Sequence, residues 1–425
     1  MSFSRQLIRL KVRVDYYVSK IRVVGIAWTL RWIVNRLVGE VAWLLLLPIT
    51  VIGHLAGYRR VALWPDRIGH LASEFDCFLK ERALGRLPRR KWFVLAPPHK
   101  VANPCLLDYW MDQVAIVQSP GICAVLGAMG RHGTMEFNVR HYTPLSEGAA
   151  TYHSVLAEWG NRPPLLVLKA EHRERGWKAL GQMGIPRDGW FVAVHAREPG
   201  FSEQNERAHS HRNSDVRKLM SAIQEIRRRG GWVVRRGDPT MRQLPQMDGV
   251  VDYALHPLRC DWMDVFLCAQ ARFFVGNTSG LYLVATAFGT PCALANVSPA
   301  SALAFAPSDI SIPKLVRSIA QNRYLTFEEI FGGSIANCRF TGLFAANGLT
   351  VEENSEEDLR DLVVEMLDLI DGSYRATAED HARQGRFSAL LRPGHWCFGT
   401  ASRIGSRFLA SHENLLPGSS FSTND

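Results

Sequence analysis

The chain has 425 residues, 47% hydrophobic and 21% charged, a length that suits two packed domains better than a single core. Its net charge is +10, yet residues 1–60 hold ten Lys/Arg against only Asp15 and Glu40, so the remainder is nearly neutral and lacks the basic stripe of a nucleic-acid binder. Eight cysteines with no C-x-x-C pair exclude a zinc ribbon or a disulfide framework and read as reduced, cytosolic thiols.

From Val41 to Tyr58 run eighteen residues without Asp, Glu, Lys or Arg, at the margin of the roughly 20 apolar residues that a spanning helix needs. Pro48, Gly53 and His54 interrupt the run. Arg31 and Arg36 precede it and Arg59 and Arg60 follow, whereas a single span usually biases such charges to one side. A cleavable signal peptide fits badly so far into the chain. Residues 1–58 are therefore expected to form an in-plane or re-entrant anchor. Trp28, Trp32 and Trp43 would sit at headgroup depth, and Arg5, Arg9 and Arg13 would face anionic lipid. The competing reading is a buried hairpin of the first domain.

Residues 59–184 read as a first, irregular α/β domain. Val61–Trp64 is a strand candidate, followed by a helix with Ile68, Leu71, Ala72, Phe75 and Leu79 on one face. Trp92–Ala96 and Ile122–Leu126 read as buried strands, with Leu165–Leu168 as a further candidate. Glu74 and Asp76 point to two helix faces and are expected to meet solvent.

Residues 185–345 read as a more regular second domain. Strands are expected at Trp190–Ala196, Trp232–Val234, Gly249–Tyr253, Phe273–Val275 and Cys292–Ala295. Helices are expected at Ser214–Arg229, Trp262–Ala271 and Leu281–Phe288. This alternation implies a parallel sheet covered by helices on both faces. Residues 346–415 supply helices returning to the first domain, among them acidic Ser355–Leu369, and 416–425 form a polar, disordered tail.

Ligands of open parallel sheets bind outside the carboxyl ends of the strands. Those ends carry His195 and Arg197, then Arg235 and Asp238, then Asp252 and Tyr253, then Asn277, Thr278, Ser279 and Gly280, and finally Asn296. Gly276–Gly280 opens a helix, where free backbone N–H groups, hydroxyls and the positive dipole end suit a phosphate. Arg197 or Arg235 can neutralise the charge that builds on a departing diphosphate. No G-x-G-x-x-G, Walker A or D-x-D sequence occurs, which points away from dinucleotide chemistry, P-loop hydrolysis and a metal-clamped nucleotide sugar. On the acceptor side, His70 is a candidate base, with Asp66 orienting it or serving instead. Asn103 is a further residue that could reach the cleft.

Arg67–Glu74 (RIGHLASE), Phe191–Glu198 (FVAVHARE), Arg212-Asn213, Trp232–Asp238 (WVVRRGD), Asp252-Tyr253, Asp264–Leu267 and Gly276–Leu281 together resemble a family of bacterial surface-polysaccharide glycosyltransferases. The His-x-Arg strand and the later Ser-Gly turn are also similar to motifs of the wider fucosyltransferase-like GT-B group. The resemblance implies that Arg197 and Thr278-Ser279 hold the donor diphosphate and that Asp252-Tyr253 lies near the nucleoside. Glu198 stands where the wider group often has a second arginine.

The expectation is therefore an α/β protein of GT-B type, two Rossmann-like domains facing a cleft, with an amino-terminal membrane-associated segment. It would be a metal-independent glycosyltransferase at the cytoplasmic face of the bacterial inner membrane, peripheral or monotopic. The donor would be a nucleotide diphosphate (or CMP) sugar, and the acceptor a glycan or lipid-linked glycan. No cofactor and no nucleic-acid partner are expected. Rival readings are a nucleotide-sugar 2-epimerase and a non-catalytic membrane-bound scaffold.

Overall fold

The structure, a computed structural model, describes residues 26–137, 142–200 and 203–418. The expected basic face at Arg5, Arg9 and Arg13, the Trp28 side chain and the tail from 419 onward lie outside the described residues.

In chain order the strands and longer helices begin α1 (Ile26–Leu55), β1 (Tyr58–Val61), α2 (Ile68–Ala83), β2 (Lys91–Leu95), α3 (Pro104–Trp110), β3 (Ala115–Val117), α4 (Pro120–Met129) and β4 (Glu136–Phe137). They continue with α5 (Gly148–Trp159), α6 (Ala170–Gln182), β5 (Phe191–His195), α7 (Met220–Arg228), β6 (Trp232–Arg235), β7 (Val250–Asp252), α8 (Asp261–Gln270), β8 (Phe274–Gly276), α9 (Gly280–Ala287) and β9 (Cys292–Val297). The last are β10 (Ile310–Pro313), β11 (Leu315–Ser318), β12 (Arg323–Tyr324), β13 (Leu349–Glu352), α10 (Glu356–Ile370), α11 (Ala378–Ser388) and β14 (Arg403–Ile404).

These elements form two compact units. The smaller takes the residues up to Ala62 together with Arg90–Pro98 and Ala115–Asn138. Its four strands pair in the order β3-β2-β1-β4, all parallel. Phe93, Met129 and Met135 make its core, closed by Leu46, Leu95, Val117 and Leu126. Ile122–Leu126 is part of helix α4 and not the buried strand expected. Pro120 at the first helical position presets the backbone for a helix, and Ile122 and Val125 are exposed.

The larger unit contains Leu63–Arg89, His99–Val114 and the chain from Val139. Its main sheet runs β14-β10-β9-β8-β5-β6-β7, and every pair in it is parallel. From β5 the chain proceeds outward through β6 and β7, then returns to the other side with β8 and β9. The strand order thus reverses between β5 and β8, the switch point where α/β sheets open a crevice. A three-stranded antiparallel sheet, β12-β11-β13, accompanies it.

Strands β5 to β9 and β2 fall on the expected apolar runs, whereas the strand expected at Val61–Trp64 lies at Tyr58–Val61 and meets it only at Val61, and β3, β4, β10 and β14 were not expected. The helix expected over 214–229 begins as a separate turn, Val216–Leu219, capped by Asp215 accepting from the Arg217 N–H. Helix α10 starts at a capping box of Ser355 and Asp358 and packs against α7. Leu165–Leu168 forms no strand. The protein is thus an α/β chain with two parallel sheets and an apolar amino-terminal helix, as the sequence led us to expect.

Candidate functional site

A cleft of about 970 Å³ opens in the larger unit beside the switch point, lined by residues from α2, from the ends of β5 and β6, and from α9. It lies near the upper end of the roughly 300–1,000 Å³ typical of small-molecule sites. At its floor two helices start back to back. A Cβ on Gly69 would come within 2.8 Å of the Gly280 Cα, and one on Gly280 within 2.9 Å of the Gly69 nitrogen. Only glycine at both positions lets α2 and α9 begin this close together. Neither helix has a side-chain cap or an acidic residue in its first turn, so both positive dipole ends lack local neutralisation. The Ser279 hydroxyl, at the start of α9, is buried with no hydrogen-bond partner.

Five arginines line the same cleft: Arg67, Arg197, Arg212, Arg259 and Arg339. Among the described residues Arg67, Arg212 and Arg339 have no carboxylate within salt-bridge distance. Arg212 donates through Nε to the Thr278 carbonyl at 3.1 Å and is pushed down to about 9 by burial and by neighbouring Arg197. Burial and Arg67 also lower Arg339. Arg197 is partly committed. One guanidinium nitrogen donates to the His209 carbonyl and to Asn213 Oδ1 and lies 3.9 Å from Glu206. The cluster is mutually repulsive, so it costs stability unless an anion enters.

On the opposite wall His70 Nδ1 bonds Glu74 Oε1 at 2.7 Å and the ring stacks on Trp64. Glu74, expected at the surface, is buried, and it also accepts from the Thr143 hydroxyl and the Trp64 N–H. Its carboxylate therefore orients His70. Asp66, to which that role was assigned, lines the cleft as an exposed residue. Asp76, likewise expected at the surface, is buried against Lys80 and the Tyr152 hydroxyl.

Several strand-end residues prove structural. Arg235 is fully buried and donates to Asp252 Oδ1 at 2.8 Å and the Arg242 carbonyl at 3.0 Å, with Glu198 at 3.4 Å. It cannot reach a phosphate, and Glu198 is explained as its counter-charge. Asp252 also accepts from the Leu244 N–H. Tyr253 is buried, its hydroxyl bonded to the Cys260 backbone. Neither Asp252 nor Tyr253 lines the cleft, so neither is placed to meet a nucleoside there. Asn296, buried with φ +51°, exchanges two bonds with Asn354.

Asn277 lies beneath the rim. It accepts from the Arg197 N–H at 3.1 Å and donates to the Arg212 carbonyl and Ser214, fixing both arginine loops. His195 donates from Nδ1 to the Arg236 carbonyl at 3.0 Å and is held down to about 4, chiefly by burial. Thr278 spends its hydroxyl on the Ser298 carbonyl. Asp238 lines the cleft while capping its own turn through Thr240. Asn103 caps α3 and donates to the Asp261 carbonyl. Among the described residues no three His, Cys, Asp or Glu side chains converge as metal ligands would.

Arg67, Arg339, Glu74 and the ligand-facing role of Arg212 were missed from the sequence. Arg67 and Glu74 stand in the quoted RIGHLASE segment, where a basic residue opening a helix was the available signal. Arg339 comes from an irregular loop and gave none.

No protein-family model and no curated protein matches the chain. Among solved structures it is similar to a glycosyl transferase family 9 protein from Veillonella parvula DSM 2008, at 10% identity and TM-score 0.30, over 56% of this chain and 80% of that one. It is similar to Escherichia coli ADP-heptose lps heptosyltransferase II at 14% identity and TM-score 0.36, over 55% and 83%. A third is the dodecameric iron-containing heptosyltransferase TibC from enterotoxigenic E. coli, in complex with ADP-D-beta-D-heptose, at 13% identity and TM-score 0.37 over 60% and 62%. The match thus spans less than two thirds of TibC. At these identities and scores, activity has to be argued from the site itself.

Proposed function

We propose that the chain is a GT-B-type glycosyltransferase that moves a sugar from a nucleotide diphosphate donor to a hydroxyl of a glycan or lipid-linked glycan. The observation that carries this reading is the arginine cluster, of which Arg67, Arg212 and Arg339 have no carboxylate within salt-bridge distance among the described residues, set around a helix start whose buried serine hydroxyl has no partner. A diphosphate supplies the missing charge and accepts from Ser279, from the first N–H groups of α9 and from Arg212 and Arg197.

In the reaction the acceptor oxygen bonds the anomeric carbon and the bond from that carbon to the phosphate oxygen breaks. The leaving diphosphate gains charge against Arg197, Arg212 and Arg339, where electrostatic stabilisation is worth most. The acceptor proton passes to His70 Nε2. Glu74 holds Nδ1 in its protonated form, so the lone pair stays on Nε2. The donor half would belong to residues 185–345 and the acceptor half to 59–184. With arginines and helix ends in place of a D-x-D clamp, activity is expected to survive EDTA. The protein would work at the cytoplasmic face of the bacterial inner membrane.

The test is a thermal-shift screen of ADP, GDP, UDP, dTDP and CMP, followed by product analysis with the matching nucleotide sugars. Binding to the native state raises the melting temperature by mass action. Release of free nucleotide only when an acceptor is present supports transfer. Inversion of the donor sugar without release would make the protein an epimerase, and binding of none of the nucleotides would leave a scaffold. His70→Asn should lower turnover by about 10²–10⁴-fold with donor affinity retained. Undiminished turnover would remove His70 from the mechanism.

A further inference from the structure

The amino-terminal helix has two faces of different character. On one, Leu46 joins the core of the smaller unit, Thr50 is fully buried, and a Cβ on Gly53 would meet Met135 at 3.1 Å. On the other, Val38, Val41, Leu45, Ile49, Ile52 and Leu55 recur at intervals of three and four residues, and all are exposed. Within Leu30–Leu55 an eighteen-residue window reaches a mean hydropathy of 1.8 with few of its residues buried. At 1.5 Å per residue the stripe from Val38 to Leu55 is roughly 27 Å long.

Helix α4 lies beside it and is the second half of the observation. Its ten residues, PGICAVLGAM, are all apolar, and Ile122 and Val125 stand exposed. A helix facing water on one side carries polar residues there; this one carries none.

How α1 is held decides between crossing a bilayer and lying on it. Both Glu40 oxygens are engaged by the turn that follows α4, one by Arg131 at 3.2 Å and the other by His132 at 2.7 Å. Farther along, His54 Nδ1 donates to the Thr134 carbonyl at 2.6 Å. A helix fastened side-on to folded protein from Glu40 to His54 cannot be surrounded by lipid over that length. Charge identifies the surface it meets. Within the described part of this unit seven Lys/Arg stand against only Glu40 and Glu136, which suits anionic headgroups.

We infer that the outer stripe of α1 and the outer face of α4 form one monotopic insertion surface for an anionic bilayer, with α1 in the membrane plane. This deepens the membrane-face reading above by adding α4 and an orientation. It stands apart from the sugar chemistry, because vesicle binding and nucleotide binding are measured separately.

The test uses the full-length protein and vesicles of phosphatidylethanolamine and phosphatidylglycerol. Two double variants, Leu45→Asp with Ile52→Asp on α1 and Ile122→Asp with Val125→Asp on α4, place charges on exposed positions. Each should lower vesicle partitioning by about tenfold or more, with melting temperature and nucleotide affinity unchanged. High salt should release only part of the wild-type protein, since buried apolar area is not screened. Full partitioning of the α4 variant would overturn the proposal. So would a dimer in solution that both variants split without changing lipid binding, because the face would then cover a second copy. For orientation, Asn35→Cys and Ala56→Cys should react with an impermeant maleimide from the same side of sealed membranes. Labelling from opposite sides would mean a span and would sink the in-plane arrangement.

Discussion

Two groups of arginines lie close together in the larger unit and differ in one respect. Arg235 and Arg236, at the end of β6, are buried and each meets a carboxylate, Asp252 with Glu198 in one case and Asp264 in the other. Arg67, Arg212 and Arg339 line the cleft with no carboxylate in reach among the described residues. The first group is complete within the fold; the second is complete only with an anion from outside. Charge balance, more than position at a strand end, separates arginines that hold the protein together from arginines that hold a ligand.

The sharpest test of this contrast is Arg235→Ala, which should cost about 3–5 kcal/mol of stability, because it strands the buried Glu198 and the half-buried Asp252. Urea denaturation measures it, and a loss below 1 kcal/mol would mean that the pairing counts for little. Acid probes the same buried pair from another side. His195 sits under it with its pKa held near 4 by burial, the hydrogen bond to the Arg236 carbonyl opposing the shift and the two arginines adding to it. Being neutral when folded and basic when unfolded, it takes up a proton on unfolding between about pH 6.5 and 4. The contribution of His195 to stability should therefore fall by roughly 3 kcal/mol between pH 6.5 and 4. Asp309, raised to about 7 by burial, acts in the opposite sense. Folded, it protonates before its unfolded form does, and so it gains stability on the way down. His195→Gln should flatten the acid limb of a Tm-against-pH curve; an unchanged limb removes His195 as its source.

The cleft arginines should show the reverse pattern. Arg212→Met is expected to weaken nucleotide diphosphate binding by about 1.5–3 kcal/mol, while the ligand-free melting temperature holds or rises as repulsion is relieved. Calorimetric titration separates the two effects, and a destabilised variant with normal affinity would erase the contrast. Ser279→Ala should give the smallest change. Losing an unpartnered hydroxyl should leave the empty protein as stable as before, and affinity should drop by about 0.5–1.5 kcal/mol. Equal affinity would place the phosphate elsewhere.

What the sequence disclosed follows the same division. Strands β5 to β9 were legible because each is a short apolar run between turn residues and a helix, and their polar ends fell on one rim. The partners of those polar groups were not legible. Arg235 and Arg197 look alike in a string of letters, and only the fold shows that Glu198 and Asp252 are close enough to neutralise the first. Glu74 was misjudged for a related reason. Helical periodicity gives the direction of a side chain, but not whether Trp64 and Thr143 will close over it. Ile122–Leu126 reads as a strand in the sequence because a five-residue apolar run has no period long enough to tell strand from helix.

The glycine-to-glycine contact of Gly69 and Gly280 acts as a fixed gauge. With no side chain between them, the two helix starts have nothing to slide on or swing about. The spacing from the residue that would take the acceptor proton to the groups that would receive the departing phosphate is thus set when the chain folds, before any substrate arrives. Catalytic distance in this cleft would be a property of the backbone, so substrates must fit the gap instead of drawing it shut.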